Sequence, residues 1–288
     1  AVNKTAPFVL NIFNRETYNN RVFRTSSELC PGKRAEEWRA GDLARHGHAT
    51  LLRIVLDTLS AGSASGSISE VDCHTHDADD AAGNGDVQIV RLLRAYGVDC
   101  SSKGANAAAA RGHLDVVHDL RQHGIHCTEE GADLAALHGS LESIRDLRAH
   151  GIHCTFHGAN AATERGHLHV IHDLRAHEIH CTALGANVAA LMGHLKVVRD
   201  LREHEIHCTP RGADAAAMEG QLEVIWDLRA HGIYGTTEGA NFAAMNGHLQ
   251  VVRDLRAHGI HCTSQGANEA VANGQLEVVR DLRAHGIH

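Results

Sequence analysis

The chain has 288 residues, with 27 Lys and Arg against 35 Asp and Glu, 26 His, and a formal net charge of -8 at pH 7. Mixed signs, a negative sum and a supply of only five Phe, two Trp and three Tyr argue against a nucleic-acid footprint, so no nucleic acid is expected as a partner. No stretch approaches the ~20 apolar residues of a membrane span, and the first thirty residues lack a signal-peptide pattern, so no membrane partner is expected either. The chain begins at Ala1 without a methionine and reads as processed or trimmed.

Residues 1–37 match nothing later in the chain and form a non-repeat N-terminal arm. Phe8, Phe13, Tyr18 and Phe23, together with Trp38, concentrate the aromatic side chains there. Two readings stay open: the rings cover the exposed face of the first repeat unit, or the arm docks on something else. Residues 38–76 read as an irregular capping helix pair with a Gly/Ser-rich loop, SAGSASGSIS, at 60–69.

From residue 77 to 288 the chain repeats. Cys73, Cys100, Cys127, Cys154, Cys181, Cys208 and, after a skip at Gly235, Cys262 keep a 27-residue period, as do Gly104 to Gly266 and Leu120 to Leu282. A fixed period of this length marks a solenoid, in which each unit buries its apolar face only against its neighbours. Eight units fit, the last incomplete. In each, Ala132, Ala135 and Ala136 or their equivalents recur at i, i+3, i+4 and predict a short first helix with a small-residue face. Its N-cap is either the preceding hydroxyl (Ser101, Thr128, Thr155, Thr182, Thr209, Thr263) or, one turn later, Asn106, Asp133 or Asn160. A second helix comes after Gly112 and its equivalents, with Leu114, Val117 and Leu120 as its buried stripe and Gly124 as its left-handed stop. Glu178 and Glu205 occupy that stop in two units and should be strained there. The predicted fold is all-α, a solenoid of stacked antiparallel helix pairs.

The runs GHLDVVHDLRQHGIH, GHLQVVRDLRAHGIH and GQLEVVRDLRAHGIH resemble the second helix and turn of the ankyrin repeat, and the Ala-Ala pair resembles its first helix. The period is 27 where that family has about 33, the T-P-L-H opening is missing, and the shortfall lies where the family carries its β-hairpin finger. The resemblance implies shortened or absent fingers, as in the divergent ankyrin arrays of giant viruses and intracellular pathogens.

The one-per-unit spacing of the thiols argues against disulfides and for an intracellular, reduced protein, because stacked units sit roughly 8–10 Å apart and a disulfide spans less than about 7 Å between Cα atoms. The motif His123-Gly-Ile-His126-Cys127 and its copies suggest zinc, but a single unit would have to supply about four ligands. The thiols are therefore read as small core residues, with no metal and no cofactor. No nucleophile, phosphate-loop or dinucleotide pattern appears, and no catalytic residue is expected. His123 and its copies stand at helix ends, where the dipole should raise their pKa. His126 and His153 are expected to be packed in the turns, with lowered pKa, so that acid weakens the fold.

Candidate partner-binding residues are those that break the repeat: Met192, Met218, Trp226, Tyr234, Phe242 and Met245, with Phe8, Phe13, Tyr18 and Phe23 of the arm. Local repacking around Gly235 is the alternative for the 218–245 group. The last helix keeps the apolar stripe Leu276, Val279 and Leu282, so either further chain or a partner should cover that end. Three functions fit this pattern: a non-enzymatic protein-protein interaction scaffold; a structural subunit of a virion or organellar complex, assembled end to end or through the arm; and a histidine-rich array responsive to metal or pH.

Overall fold

The computed structural model describes residues 40–62 and 73–287. The chain forms two compact units, Ala1–Gly131 and Ala132–His288. Among the described residues all regular structure is helical, and no strand replaces the ankyrin finger. In the first unit the helices are α1 (Ala40–Arg45), α2 (Ala49–Gly62), α3 (Thr75–Gly83), α4 (Val87–Ala95), α5 (Ser102–Ala110) and α6 (Leu114–Gln122). Next comes α7 (Glu129–His138), most of which belongs to the second unit. That unit continues with α8 (Leu141–Ala149), α9 (Phe156–Glu164), α10 (Leu168–Ala176), α11 (Ala183–Leu191), α12 (Leu195–Glu203), α13 (Pro210–Met218), α14 (Leu222–Ala230), α15 (Thr237–Met245), α16 (Leu249–Ala257), α17 (Ser264–Ala272) and α18 (Leu276–Ala284). Ser60, Ala61 and Gly62, expected in a loop, end α2; the rest of the Gly/Ser-rich segment and the whole aromatic arm, with Phe8, Phe13, Tyr18 and Phe23, lie outside the described residues.

Within each unit the helix pairs stack as a solenoid. Odd-numbered, first helices pack on one another in one layer, and even-numbered, second helices in the other. First helices come closest because their contact face is Gly and Ala: Ala108, Ala135, Ala162, Ala189, Ala216 and Ala243 have no exposed surface. Gly104 shows how close. A Cβ there would lie 2.5 Å from the Asp79 Oδ1 and 2.8 Å from the Asp79 Cα of the preceding first helix, so only glycine fits. The second helices bury Val116, Val117, Leu120 and their copies against the alanine layer.

The turns match the sequence reading. Gly124 and its copies take positive φ, and so do Glu178 (φ 62°) and Glu205 (φ 64°), a conformation costing roughly 1–2 kcal/mol in a side-chain-bearing residue. Just before each stop, the histidine ring folds back on its own helix. His123 Nδ1–H donates to the Asp119 carbonyl at 2.7 Å, and His150, His177, His204, His231, His258 and His285 do the same at 2.7–2.8 Å. This satisfies a carbonyl that the helix end leaves free.

The hydroxyl, not the later Asn or Asp, is the N-cap residue of α5, α9, α11, α13, α15 and α17. Whether its side chain caps the helix depends on the unit before. Where that unit has Asp, the carboxylate can only accept: Ser101, Thr155 and Thr236 donate to Asp79, Asp133 and Asp214, and their lone pairs take the amides of Lys103, His157 and Glu238 at 3.1 Å. Where it has Asn, the side-chain cap is missing: the amide group donates to Thr182 and Thr209, and Thr263, which donates to Asn241 Oδ1 at 3.1 Å, leaves α17 uncapped as well. Asn160 Nδ2 to Thr182 (3.2 Å) and Asn187 Nδ2 to Thr209 (2.9 Å) occupy the hydroxyl, and α11 and α13 lack the side-chain cap.

Candidate interaction surfaces

A carboxylate ladder holds the second helices together. Each ladder Asp receives two donors from the unit before, one 28 and one 25 residues upstream: Arg91 and Arg94 on Asp119, Arg145 and Arg148 on Asp173, Arg199 and Arg202 on Asp227, Arg253 and Arg256 on Asp281. His172 and Arg175 share Asp200 in the same way. Burial alone would raise the Asp119 pKa, but the hydrogen bonds and charges of Arg94 and Arg91 outweigh it and hold the carboxyl below its ordinary range. Asp173, Asp200, Asp227, Asp254 and Asp281 show the same balance.

Trp226 belongs to this ladder. Its Nε1–H donates to Asp254 Oδ1 at 2.8 Å, in the place of the first arginine, while Arg229 takes Oδ2 at 2.6 Å. Its ring remains 48% exposed. Tyr234, in the turn after α14, is 54% exposed.

The other candidates gather in the first-helix layer. Residues at i, i+4 and i+7 of these helices look outward. In α11 they are Leu184, Val188 and Leu191; in α13, Arg211, Ala215 and Met218; in α15, Glu238, Phe242 and Met245. α11, α13 and α15 are consecutive in the stack. Their apolar members form a strip, with Phe242 and Leu184 exposed and Val188, Leu191, Met218 and Met245 half-buried, while the exposed Arg211 and Glu238 charge the first outward position of α13 and α15. The short, half-buried Ala215 stands in its middle. Met192, at the C-cap of α11, extends it at 45% exposure. The neighbouring α9 and α17 interrupt it with His157 and Glu164, and with Gln265 and Glu269. The structure thus brings together Met192, Met218, Phe242 and Met245, and sets Trp226 in the other helix layer. Leu184, Val188 and Leu191 were missed in the sequence because they are ordinary core residues in type, and only the helix phase shows that they face out. Phe156, at the first position of α9, is exposed for the same reason.

Among the described residues neither thiols nor imidazoles assemble into a reactive centre. Cys100, Cys127, Cys154 and Cys208 are buried, and each Sγ–H donates to a first-helix carbonyl 22 residues upstream at 3.2–3.3 Å. Burial pushes the Cys100 and Cys154 thiols up to about 12, and those of Cys181, Cys208 and Cys262 to about 11, which removes thiolate character at neutral pH. Among the described residues no group of three or more His, Cys, Asp or Glu is arranged to hold a metal. His126 and His153, expected to be packed, are exposed, because it is Cys127 and Cys154 beside them that turn inward. The packed imidazoles lie elsewhere. His167 covers Gly139 and donates from Nε2 to the Leu137 carbonyl at 3.1 Å, and burial lowers its pKa. Burial lowers that of His48 as well.

No family model and no curated protein matches this sequence. Among solved structures, the chain is similar to the human ASB11 ankyrin repeat domain, at 21% identity over 54% of this chain and 83% of that one, with a TM-score of 0.45. It is also similar to the pentatricopeptide repeat protein PPR10 in complex with an 18-nt psaJ RNA element, at 12% identity, 97% of this chain and TM-score 0.45. PPR10 from maize gives 13% identity and a TM-score of 0.43. The chain spans about half the length of the PPR10 chains, 48% and 44%. The protein is a helical repeat protein, as its stacked pairs show. The expectation that excluded nucleic acid does not stand: one similar structure is a helical repeat protein bound to RNA. Net charge is a sum over the chain, whereas a solenoid offers separate faces whose local charge differs from it. Among the described residues no helix is long and apolar enough to cross a membrane.

Proposed function

We propose that the protein is a non-enzymatic, ankyrin-like scaffold that binds a protein partner through the apolar strip of α11, α13 and α15. The observation that carries this reading is the run of Val188, Leu191, Met218, Phe242 and Met245 on the outward face of three consecutive helices, where a monomeric surface ordinarily scatters its apolar residues singly. Methionine side chains adapt to irregular partners, and an exposed aromatic among them suits a helix or an extended segment laid across the stack. Trp226 contributes to the stack through Asp254 rather than to the strip.

The test is site-specific photocrosslinking in extract of the native source. A benzophenone side chain at position 242 should yield a discrete protein adduct that Met218→Glu removes, while the same probe at exposed Glu223 on α14 should not. Adducts in which RNA replaces protein at position 242, or equal yields at both positions, would overturn the reading. Phe242→Ala should lower the unfolding free energy by no more than about 1 kcal/mol, since the ring is only partly packed on the stack.

A further inference from the structure

In the unit Ala132–His288, the turns between first and second helices carry their own links from one pair to the next. The residue that caps each second helix lies over the glycine of the preceding turn. His167 covers Gly139 and His194 covers Gly166, and their Nε2–H groups donate to the Leu137 and Glu164 carbonyls at 3.1 and 2.9 Å. His169 adds a bond to the Gly139 carbonyl at 3.1 Å. Farther along, Gln221 and Gln275 take the same place over Gly193 and Gly247. The stack thus closes some junctions with side chains that can gain a charge and others with side chains that cannot.

Three conditions oppose a charge on His167. Its ring is half-buried, and burial is the largest cause that lowers its pKa. It is the N-cap residue of α10, at the positive end of that helix. The charges that add to this are those of other imidazoles: His169, whose ring centroid is 5.9 Å away, His138 and His194. Of the remaining charged groups on these elements, Glu164 and Arg165 at the end of α9 pair with each other at 3.8 Å, and Lys196 in the first turn of α12 is positive. His172 and His177, on other faces of α10, stand against Asp200 and Asp173, where a positive charge tightens the stack. His248 is the contrast. It covers Gly220 as His167 covers Gly139, but the equivalents of His138 and His169 beside it are Glu219 and Gln250.

The same stretch carries local defects. Ser143 in α8 stands where other second helices have Val170, Val197 or Val224, and its hydroxyl is buried without a hydrogen-bond partner. Glu178, just after α10, holds φ at 62°, and α11 lacks its side-chain cap.

We propose that the helix pair α9 and α10 is an acid-released segment of the stack: charging the cluster of His138, His167, His169 and His194 frees the pair from its neighbours, while the glutamine-held junctions farther along stay closed. The segment adjoins the strip at α11 but does not depend on what the strip binds.

An imidazole kept neutral while the junction is closed, and free to charge at a pKa of about 6.5 once it opens, makes the open state roughly eightfold more populated at pH 5.5 than at pH 7. Hydrogen exchange followed by mass spectrometry, corrected for the intrinsic effect of pH on exchange, reads this population. In the parent chain the amides of α9 and α10 should exchange about eightfold faster or more at pH 5.5, and those of α13 to α16 less than about twofold faster. His167→Gln with His169→Gln, side chains that the chain itself uses at Gln221 and Gln250, should keep the pH 7 pattern and bring the response of α9 and α10 below about twofold. Equal acceleration along the whole stack, no acceleration in α9 and α10, or an undiminished response in the double variant overturns the proposal.

Discussion

Replacing Asp227 by alanine tests whether the ladder is a structural bond or a surface ornament. Asp227 is buried and takes Arg199 Nε at 2.7 Å and Arg202 Nη1 at 2.5 Å. The two bonds are unequal. The Arg199 side chain is 54% exposed, and an ion pair that wet contributes less than about 1 kcal/mol. Arg202 is 18% exposed, and a charge-assisted hydrogen bond in such surroundings contributes about 1.5–3 kcal/mol. Since the freed Arg202 can partly turn to water, Asp227→Ala should cost about 2 kcal/mol at pH 7, measured by urea unfolding. Glu223→Ala, an exposed carboxylate on the same helix, is the control and should stay within about 0.5 kcal/mol. In an array whose stability is a sum over neighbours, the loss can also surface as an unfolding intermediate broken at the α12–α14 junction. The sign with pH comes from the lowered Asp227 pKa. A depressed folded pKa stabilises fully above the unfolded value of about 3.9 and progressively less as pH falls toward the folded one. The gap between parent and Asp227→Ala should therefore hold from pH 7 to about 5 and narrow progressively as pH falls below about 4. A cost no larger than that of Glu223→Ala, or a gap that does not narrow on acidification below about pH 4, would refute the reasoning.

Four other outcomes are expected. Asn160→Asp should let Thr182 cap α11 and stabilise by about 0.5–1 kcal/mol, and Asp133→Asn should lose a similar amount at α9, both read by thermal unfolding. Glu178→Gly and Glu205→Gly should each stabilise by about 0.5–1 kcal/mol, the relief at φ 62° and 64° being partly offset by the greater freedom of glycine in the unfolded chain. His167 is held neutral by burial, so its contribution is present above the unfolded pKa of about 6.5 and is lost as pH falls below it; His167→Gln should flatten the melting curve series between pH 6.5 and 5. The buried thiols should react with a disulfide reagent at pH 8 at least a hundredfold more slowly in the native protein than in urea, because native thiolate is scarce and access is closed.

The 27-residue period, the alanine spacing and the stop residues were enough to identify stacked helix pairs without fingers, because each of those features acts within one unit. The strain at Glu178 and Glu205 was legible for the same reason. Interactions between units were legible only in outline: the recurring Asp-Leu-Arg run suggests that Asp of one unit meets Arg of an adjacent one, but not which side chains close on which. That Asp227 of one unit closes on Arg199 and Arg202 of the one before, or that Asp133 rather than Asn160 frees the next threonine to cap its helix, depends on which residues stacking brings opposite each other at separations of 22 to 28 along the chain. Trp226 was conspicuous in sequence as an aromatic, yet its place in the stack comes from one N–H reaching Asp254. Leu184, Val188 and Leu191 carried no signal in the sequence, because composition does not record direction. Helix phase turned them outward beside Phe242, whereas the preceding Gly and Ala faces, needed for close approach, took the inside. The sequence determined what each unit is, and the tertiary structure decided which of its side chains remain available once its neighbours are in place.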